Sequence, residues 1–421
     1  MEFKSVRVDI TPEGPVYIIG FPSRVESRGI NSRLELNIMV WRDGDIILFM
    51  IGIDTLFITA PILKSTAEMI RSIYGHVPDD QIILIATHTH FAPAIENNRP
   101  QLGGANQEYE AFLMQSINAG VTELSKKDFT EIELKWQSGN SNNLTSSRRR
   151  RVRSLKKIFT PFIAMEPESA GVKHEVMDVL RIQSKIDEST LGMVWSFPCH
   201  PTNLFERDLI SSEFPGAARD AMRSDCSNSE MAIVYLPGLA GDVRAAPITP
   251  PNFYVRWCNW AGWSYPKSYY RFQNTEQYKQ WSGNVVSQLR KICHTPTQTI
   301  NTQNFQVKLD AYSLSDFLGL QSETISDISF RKIRFGEDLS MVFISAEVVS
   351  AYYEKLRPHL DEKFCFLTGY ADEVFGYLPT ESQIKEGGYE SAGYFGRFGI
   401  QKKFKPDIEN SLRNAIEKLK R

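Results

Sequence analysis

Two histidines separated by a single residue follow an apolar run that predicts a buried strand. Residues 81–86 form this run, which ends in Thr87-His88-Thr89-His90. Because residues two apart on a strand point to the same face, we expect both imidazoles to emerge side by side at the ligand-binding end of an α/β sheet. Such a pair suits one metal ligand and one acid/base group. Alternatively, the two histidines have only a structural role and form hydrogen bonds with the backbone.

A third histidine also stands just past an apolar run. Residues 191–197 form the run, and Pro198-Cys199-His200-Pro201 follows it. The chain has 7 histidines, and three of them at strand ends favour metal binding over packing. Neutral imidazoles together with a carboxylate are the usual ligands of a catalytic Zn²⁺, with one position left for water. Glu347 follows the apolar run 341–346 in the same way, but spacing alone does not select it among 50 acidic residues.

Glycine-rich segments supply further candidates but no nucleotide-binding motif. Gly238-Leu239-Ala240-Gly241-Asp242 follows a predicted strand, yet its glycine spacing matches neither GxGxxG nor GxxxxGK[ST]. Tyr377 and Tyr389 lie in or beside glycine-rich segments. A tyrosine there either donates a hydrogen bond to a developing oxyanion or simply packs. The sequence also lacks the GxSxG motif of serine hydrolases.

Alternating strands and helices must position these residues. An apolar pattern of helical period runs from Pro61 to Gly75, between two predicted strands. We therefore predict the α/β class. The predicted strands are 46–53, 81–86, 191–197 and 231–236, and further helices are predicted at 109–124, 281–292 and 408–419.

Composition and length limit the function classes. The 421 residues carry 48 basic and 50 acidic side chains, for a net charge of −2, so the whole chain has no electrostatic drive towards nucleic acid or an anionic membrane. The sequence has no membrane-spanning apolar run and no signal segment at its start, so we expect a cytoplasmic protein without a stable membrane anchor. No repeat or linker divides the chain, which predicts one continuous domain.

Two irregular segments remain. Residues 146–157 form a loop-like basic stretch, and arginine forks favour carboxylate or phosphate, so this stretch predicts contact with an anionic substrate. A solvated basic loop is the alternative. Residues 247–270 are rich in tryptophan and tyrosine, a composition typical of loops that form a lid, a pocket wall or a subunit interface. The basic residues of the first segment are Arg148, Arg149, Arg150, Arg151, Arg153, Lys156 and Lys157.

The motifs resemble those of the neutral/alkaline ceramidase superfamily, specifically its catalytic N-terminal domain and its short bacterial members. The resemblance covers nearly the whole chain and depends on several motifs in the right order. These are Val8-Asp9-Ile10-Thr11-Pro12, Ala86-Thr87-His88-Thr89-His90-Phe91-Ala92-Pro93, Cys199-His200-Pro201-Thr202-Asn203, the segment 210–216, Gly369-Tyr370-Ala371 and the segment 376–390.

This resemblance implies a single large catalytic domain with mixed β-sheets flanked by helices, and one catalytic Zn²⁺ per chain. It also implies that His90 serves as proton donor or acceptor and that Tyr389 helps to hold the scissile carbonyl. An arginine near the substrate is implied within residues 148–151, and we take Arg150 and Arg151 as the candidates. The metal ligands implied by the resemblance are His88, His200, Glu347 and Tyr377.

The sequence departs from the larger ceramidases in two respects. Arg244 follows Gly241-Asp242-Val243 where those enzymes have a serine, so direct attack by water fits better than a serine nucleophile. A chain of 421 residues also leaves no room for the C-terminal immunoglobulin-like domain of secreted ceramidases. We therefore expect residues 1–421 to form one catalytic domain.

Together these observations predict a zinc-dependent amidase or deacetylase that hydrolyses a linear N-acyl amide. The arginine segment favours a small polar or anionic substrate, such as an N-acetylated amino sugar or a nucleotide sugar. A ceramidase that cleaves N-acyl sphingosine is the first alternative. A non-enzymatic protein that binds anions or nucleic acid is the second, although the balanced charge argues against nucleic acid. The oligomeric state is left open.

Overall fold

Two β-sheets packed face to face, with helices on their outer sides, form the centre of the structure. The computed structural model describes residues 1–21, 25–95, 105–152, 161–247, 257, 272, 274–322 and 325–420. The strands within these residues are β1 Glu2–Asp9, β2 Tyr17–Ile18, β3 Val25–Glu26, β4 Gly29–Ile30, β5 Glu35–Asp43, β6 Ile46–Ile53, β7 Ile82–Ala86, β8 Thr130–Asn140, β9 Thr145–Val152, β10 Phe162–Glu168, β11 Val176–Ser184, β12 Thr190–Ser196, β13 Leu209–Ile210, β14 Ala232–Leu236, β15 Val243–Ala245, β16 Gln298–Ile300, β17 Gln306–Ser313, β18 Asp327–Phe335, β19 Leu339–Ile344, β20 Glu347–Val348, β21 Phe364–Thr368 and β22 Tyr377–Leu378.

Helices connect these strands. The longest ones pack amphipathic faces onto the sheets, and Thr59 caps the first of them by accepting a hydrogen bond from the backbone N–H of Ile62. The described α-helices are α1 Ala60–Tyr74, α2 Gln107–Ser125, α3 Glu213–Asp225, α4 Thr275–Cys293, α5 Leu314–Phe317, α6 Tyr352–Leu356, α7 Glu381–Glu386 and α8 Ile408–Lys418.

Both sheets are mixed. Within the described residues the larger sheet has nine strands in the order β14-β12-β11-β8-β1-β5-β6-β7, with β16 pairing to β8. Its β6–β7 and β12–β14 pairs are parallel. The smaller sheet has the order β17-β18-β19-β21, and a third, three-stranded sheet has the order β10-β9-β15.

Side-chain alternation along the strands produces the layers. On β5, Ile38 and Val40 face helices α1 and α2, whereas Met39 and Trp41 face the smaller sheet. On the far side of the smaller sheet, Ile344 packs with residues of α8. The order of layers is therefore helices, large sheet, small sheet, helices.

The large sheet curls so that its two ends approach each other. A Cβ added to Gly52 of β6 would lie 3.2 Å from Val234 of β14. In addition, the backbone N–H of Ile233 donates to the side-chain oxygen of Asn37 on β5 at 3.0 Å. This curl brings the carboxyl end of β7 close to that of β12, although the two strands are far apart in the strand order.

The predicted α/β class with mixed sheets flanked by helices is confirmed. Each predicted strand and helix has a counterpart, and their bounds agree within two residues except that the helix predicted from residue 281 begins at Thr275. The loop predicted for residues 146–157 is wrong for its first half, because residues 145–152 form strand β9. Residues 153–157, and the predicted pocket cover 247–270 except for residues 247 and 257, lie outside the described residues. None of the described helices combines the length and apolarity needed to cross a membrane.

Candidate metal centre

Three imidazoles converge where β7 and β12 end. His88 and His90 follow β7, and His200 follows β12. One ring nitrogen from each lies within 4.8 Å of the others. The ring centroids of His88 and His200 are 4.9 Å apart. The curl of the large sheet therefore joins histidines that are distant in the sequence.

Backbone carbonyls orient all three rings through Nδ1. Because a carbonyl oxygen only accepts hydrogen bonds, each Nδ1 carries a proton and each Nε2 presents its lone pair to the cluster. Metal-bound histidines are usually oriented in this way. The Nδ1–oxygen pairs are His88 with Leu56 at 2.8 Å, His90 with Gly20 at 2.9 Å and His200 with Ala240 at 2.7 Å.

Glu347 places a carboxylate oxygen between two of the imidazoles. Its Oε2 lies 3.3 Å from Nε2 of His88 and 3.3 Å from Nε2 of His200. Ligand atoms bound to a tetrahedral Zn²⁺ at ordinary bond lengths are about 3.3–3.5 Å apart, so these spacings fit zinc. The parallel pairing of β20 with β22 aligns Glu347 with Tyr377.

The electrostatics of the cluster also fit a cation. Burial, reinforced by the charge of Arg148, lowers the pKa of His200 to about 3. Burial and the neighbouring histidines also lower the pKa of His90. Burial raises the pKa of Glu347, but His88 and His200 outweigh that effect and hold it well below the ordinary value. Neutral imidazole lone pairs thus face an ionised carboxylate.

Four atoms of this cluster could bind a metal, namely Nε2 of each histidine and Oε2 of Glu347. Among the described residues, no hydrogen-bond partner meets Nε2 of His88, His90 or His200, or Oε2 of Glu347. Buried acceptors that face one another without a donor are costly. A divalent cation bound by two imidazoles and a carboxylate removes that cost, so the residues present fit Zn²⁺. We call these four residues the metal-site cluster.

A small cavity of about 60 Å³ opens beside the metal-site cluster. Its wall has an apolar side of three phenylalanines and one leucine, and a polar side that carries three members of the cluster, two tyrosines and one arginine. The lining residues are Gly20, Phe21, Leu56, Phe57, His88, His90, Glu347, Tyr377, Tyr389, Arg397 and Phe398.

Tyr377 and Tyr389 stand together on this wall, with ring centroids 5.4 Å apart. Burial, followed by the charge of Glu347, raises the pKa of both phenols. Both are therefore neutral hydroxyls that can donate a hydrogen bond. The Arg148 guanidinium carbon lies 5.2 Å from the Tyr377 ring and 5.7 Å from the Tyr389 ring.

Among the described residues of the basic segment, Arg148 is the one whose guanidinium lies over Tyr377 and Tyr389. Its Nε donates to Oε1 of Glu390 at 2.7 Å, and Nη1 of Arg149 donates to Oε2 of the same carboxylate at 2.7 Å. All three side chains are almost completely buried. Glu390 therefore balances part of the positive charge of Arg148 and Arg149, which the sequence analysis assigned to binding a substrate anion.

Arg150 and Arg151, the residues predicted to contact substrate, do not line the described part of this cavity. Nη1 of Arg150 lies 3.9 Å from Oε2 of Glu166, and Arg150 lines a different cavity beside Lys173. Arg151 is exposed. The sequence could not show which of the four arginines reach the site. Their partner Glu390, which pairs with Arg148 and Arg149, lies 242 residues from Arg148.

A buried ion-pair network supports the strand end that carries His88. Arg219 binds both oxygens of Asp54 at 3.0 and 2.5 Å, and Arg223 binds both oxygens of Glu35 at 2.7 and 2.8 Å. Nε of Arg219 also lies 3.3 Å from Oε2 of Glu35. The hydroxyl of Thr87 donates to Asp54 at 3.0 Å. We call Glu35, Asp54, Arg219 and Arg223 the buried ion-pair network.

Sequence reasoning missed several residues of the site. Gly20 has φ +104°, and a Cβ there would lie 2.5 Å from Nδ1 of His90, so only glycine fits. The apolar wall includes Phe57 and Phe398, and no sequence motif marks these residues as part of the site. Tyr370 belongs to a motif behind the ceramidase resemblance, but its contact with His88 needed the structure.

Comparison with solved structures identifies the fold. Neutral ceramidase from Pseudomonas aeruginosa matches with a TM-score of 0.76 and 16% sequence identity, over 99% of this chain and 73% of that one. A ceramidase complexed with C2 matches with a TM-score of 0.74 and 16% identity, over 99% of this chain and 74% of that one. The chain therefore has a neutral-ceramidase-like fold. No protein-family model matches the sequence, and no curated protein matches it.

Proposed function

We propose that this protein is a metal-dependent hydrolase that cleaves a linear N-acyl amide bond. The observation that carries the proposal is the convergence of orphaned imidazole nitrogens and one carboxylate oxygen at zinc-like spacing. One Zn²⁺ per chain would be held by His88, His200 and Glu347, with Tyr377 as a further ligand. A bound Zn²⁺ supplies Lewis acidity and lowers the pKa of water towards about 7.

His90 and Tyr389 are the residues proposed to act on the substrate. Nε2 of His90 faces the cluster with its lone pair, since Nδ1 is held by the carbonyl of Gly20. It can accept a proton from the attacking water and return it to the leaving amine. The neutral Tyr389 hydroxyl can donate to the carbonyl oxygen as negative charge develops there.

His90 has a second possible role that the geometry supports. Its ligand nitrogen lies within 4.8 Å of those of the other two imidazoles, which is near enough for a small shift of the ring to make it a third histidine ligand. In that case another group would have to transfer the proton. His90→Gln separates the two roles, because a proton-transfer residue is expected to leave zinc content intact while activity falls about 10²- to 10⁴-fold.

The substrate is proposed to be a small polar or anionic N-acyl compound, such as an N-acetylated amino sugar or a nucleotide sugar. The apolar side chains of the described wall, Phe21, Phe57 and Phe398, fit the acyl group. Arg397, which is exposed and lines the cavity, offers a cation to the polar end. The support that we had expected from Arg150 and Arg151 is absent from the described cavity.

Ceramide hydrolysis is the second candidate, and the fold favours it. Both matched structures are ceramidases, and a wall containing Phe21, Phe57 and Phe398 would accept a fatty acyl chain. Nucleic-acid binding gains no support from the structure, because Arg148 and Arg149 are buried and paired with Glu390.

The proposal treats the whole chain, residues 1–421, as one catalytic unit. The cavity draws its lining from Gly20 near one end of the chain and from Phe398 near the other. Every segment between them that carries a metal-site residue is therefore needed for the site.

The test combines metal content with released amine. The purified protein and its His88→Ala variant are analysed for zinc, with His294→Ala as the matched control because His294 is exposed. We expect about one zinc in the parent and control and none in His88→Ala. N-acetylated sugars and N-acyl sphingosine in detergent are then compared as substrates. A zinc-loaded protein that releases amine from neither class would contradict the proposal.

A further inference from the structure

Tyr370 is a fully buried tyrosine beside the metal-site cluster. It is 0% exposed and is not among the described residues that line the cavity. Its ring centroid lies 4.6 Å from that of His88 and 6.1 Å from that of His200. The ring therefore supports the imidazole of His88 from outside the cavity.

The backbone of Tyr370 joins the two segments that hold the proposed ligands. Its N–H donates to the carbonyl of Ala346 at 3.2 Å, and Ala346 immediately precedes Glu347. Its carbonyl accepts from the N–H of Ala86 at 3.1 Å, two residues before His88. A shift of residue 370 would therefore change the spacing of both ligands.

This connection is held in a strained conformation. Tyr370 and His88 both have φ +63°, a left-handed value that is unfavourable for a bulky side chain. Strain of this kind persists only where the surroundings hold the residue firmly. The chain is also closely packed here, because a Cβ on Gly369 would clash with the carbonyl oxygen of Ala346.

We propose that Tyr370 is a positioning residue for the metal centre, whose ring fixes the rotation of the His88 imidazole. Nε2 of His88 is thereby kept 3.3 Å from Oε2 of Glu347. The inference rests on the proposed metal site. It assigns the role to the ring and not to the hydroxyl, since the hydroxyl has no hydrogen-bond partner among the described residues.

The experiment measures zinc affinity by competition with a chromophoric chelator. Tyr370→Phe keeps the ring, whereas Tyr370→Met fills similar volume without one. Residues that orient a metal ligand typically change metal affinity about 10- to 100-fold, so we expect that loss in Tyr370→Met and a change of less than about threefold in Tyr370→Phe. Tyr352→Met is the matched control, because Tyr352 is equally buried but does not contact the histidines in the described structure.

A spectroscopic reading separates positioning from general destabilisation. The visible absorption spectrum of the cobalt-loaded Tyr370→Met protein is expected to differ from that of the parent. The Tyr352→Met spectrum is expected to match the parent even if its unfolding temperature falls. Should Tyr370→Met not fold, Tyr370→Leu takes its place.

The outcomes distinguish the inference from the function on which it rests. A parent protein that binds no zinc would refute the metal site itself. A parent that binds zinc, with equal affinity and an identical cobalt spectrum in Tyr370→Met, would refute the positioning role alone. An equal loss of affinity in Tyr370→Phe and Tyr370→Met would overturn the assignment to the ring.

Discussion

Two buried groups of ionisable side chains meet at the end of β7, and the protein balances the charges of only one of them. In the buried ion-pair network, Arg219 and Arg223 each bind both oxygens of a carboxylate. In the metal-site cluster, acceptor atoms face one another without a donor among the described residues. Thr87 and His88 are adjacent in the sequence, and each contributes to a different group.

The difference separates a buried polar group with a structural role from one with a ligand-binding role. Both groups pay a desolvation cost, but the network recovers it from its own ion pairs, whereas the cluster must recover it from a ligand. The first group therefore needs no ligand to offset the cost of its burial. Without a cation, the second group is held together only by the surrounding fold. Binding of a cation should therefore raise the free energy of unfolding.

The sharpest contrast is expected from removing one member of the metal-site cluster. His200→Ala should abolish stoichiometric zinc binding and activity, and the unfolding temperature of the variant should no longer rise when zinc is added. Elemental analysis and thermal unfolding with and without a chelator would check this. If His200→Ala retained one zinc per chain, the metal-site cluster would not be the zinc site, and the contrast with the ion-pair network would fail.

The converse change concerns the buried ion-pair network. Arg219→Ala leaves Asp54 and Glu35 without their shared partner, and breaking a buried pair costs about 3–5 kcal/mol. Urea unfolding should show this loss, while zinc stoichiometry of the folded fraction stays unchanged. Arg290→Ala, which breaks an exposed pair with Asp225, serves as the control and should change stability little. If folded Arg219→Ala lost its zinc, the metal-site cluster would depend on the buried ion-pair network, contrary to this prediction.

A smaller effect is expected at the glycine that orients His90. Gly20→Ala introduces a Cβ against Nδ1 of His90 and should lower kcat about tenfold or more without loss of zinc, if His90 transfers protons. Gly44→Ala is the control, since Gly44 also has positive φ but has open space around its Cβ position. Loss of zinc in Gly20→Ala would instead make His90 a ligand.

The two groups should also differ in the pH range over which they affect stability. His200 has its pKa lowered from 6.5 to about 3, chiefly by burial, so the unfolded chain binds the extra proton first and stability falls as pH drops below about 6.5. For Glu35, burial raises the pKa, but Arg219 and Arg223 outweigh it and bring the value from 4.5 to about 2. Its stabilising contribution is therefore lost only below about pH 4.5.

Urea unfolding of the metal-free protein across this range would test the separation. His200→Ala is expected to reduce the decline that begins near pH 6.5, and Glu35→Gln the decline that begins near pH 4.5. A single decline that is unaffected by His200→Ala would show that the imidazoles do not titrate as the structure indicates.

The sequence predicts a good part of this arrangement. Apolar runs ending in His88 and His200 indicate both strand ends, because a buried strand that stops at a polar residue exposes that residue at the sheet edge. The sequence does not predict that the ends meet, since this depends on the curl of the sheet at Gly52. It also does not predict that Glu390 pairs with Arg148, because long-range ion pairs leave no local periodicity.

The pairing of Arg148 with Glu390 has a consequence for the order in which the molecule forms. The two residues are 242 positions apart, and closing so long a loop is entropically costly until much of the intervening chain has folded. We therefore expect the wall formed by Tyr377 and Tyr389 to become ordered late in folding. During synthesis, zinc would meet the complete set of proposed ligands only after the segment containing Tyr377 had left the ribosome.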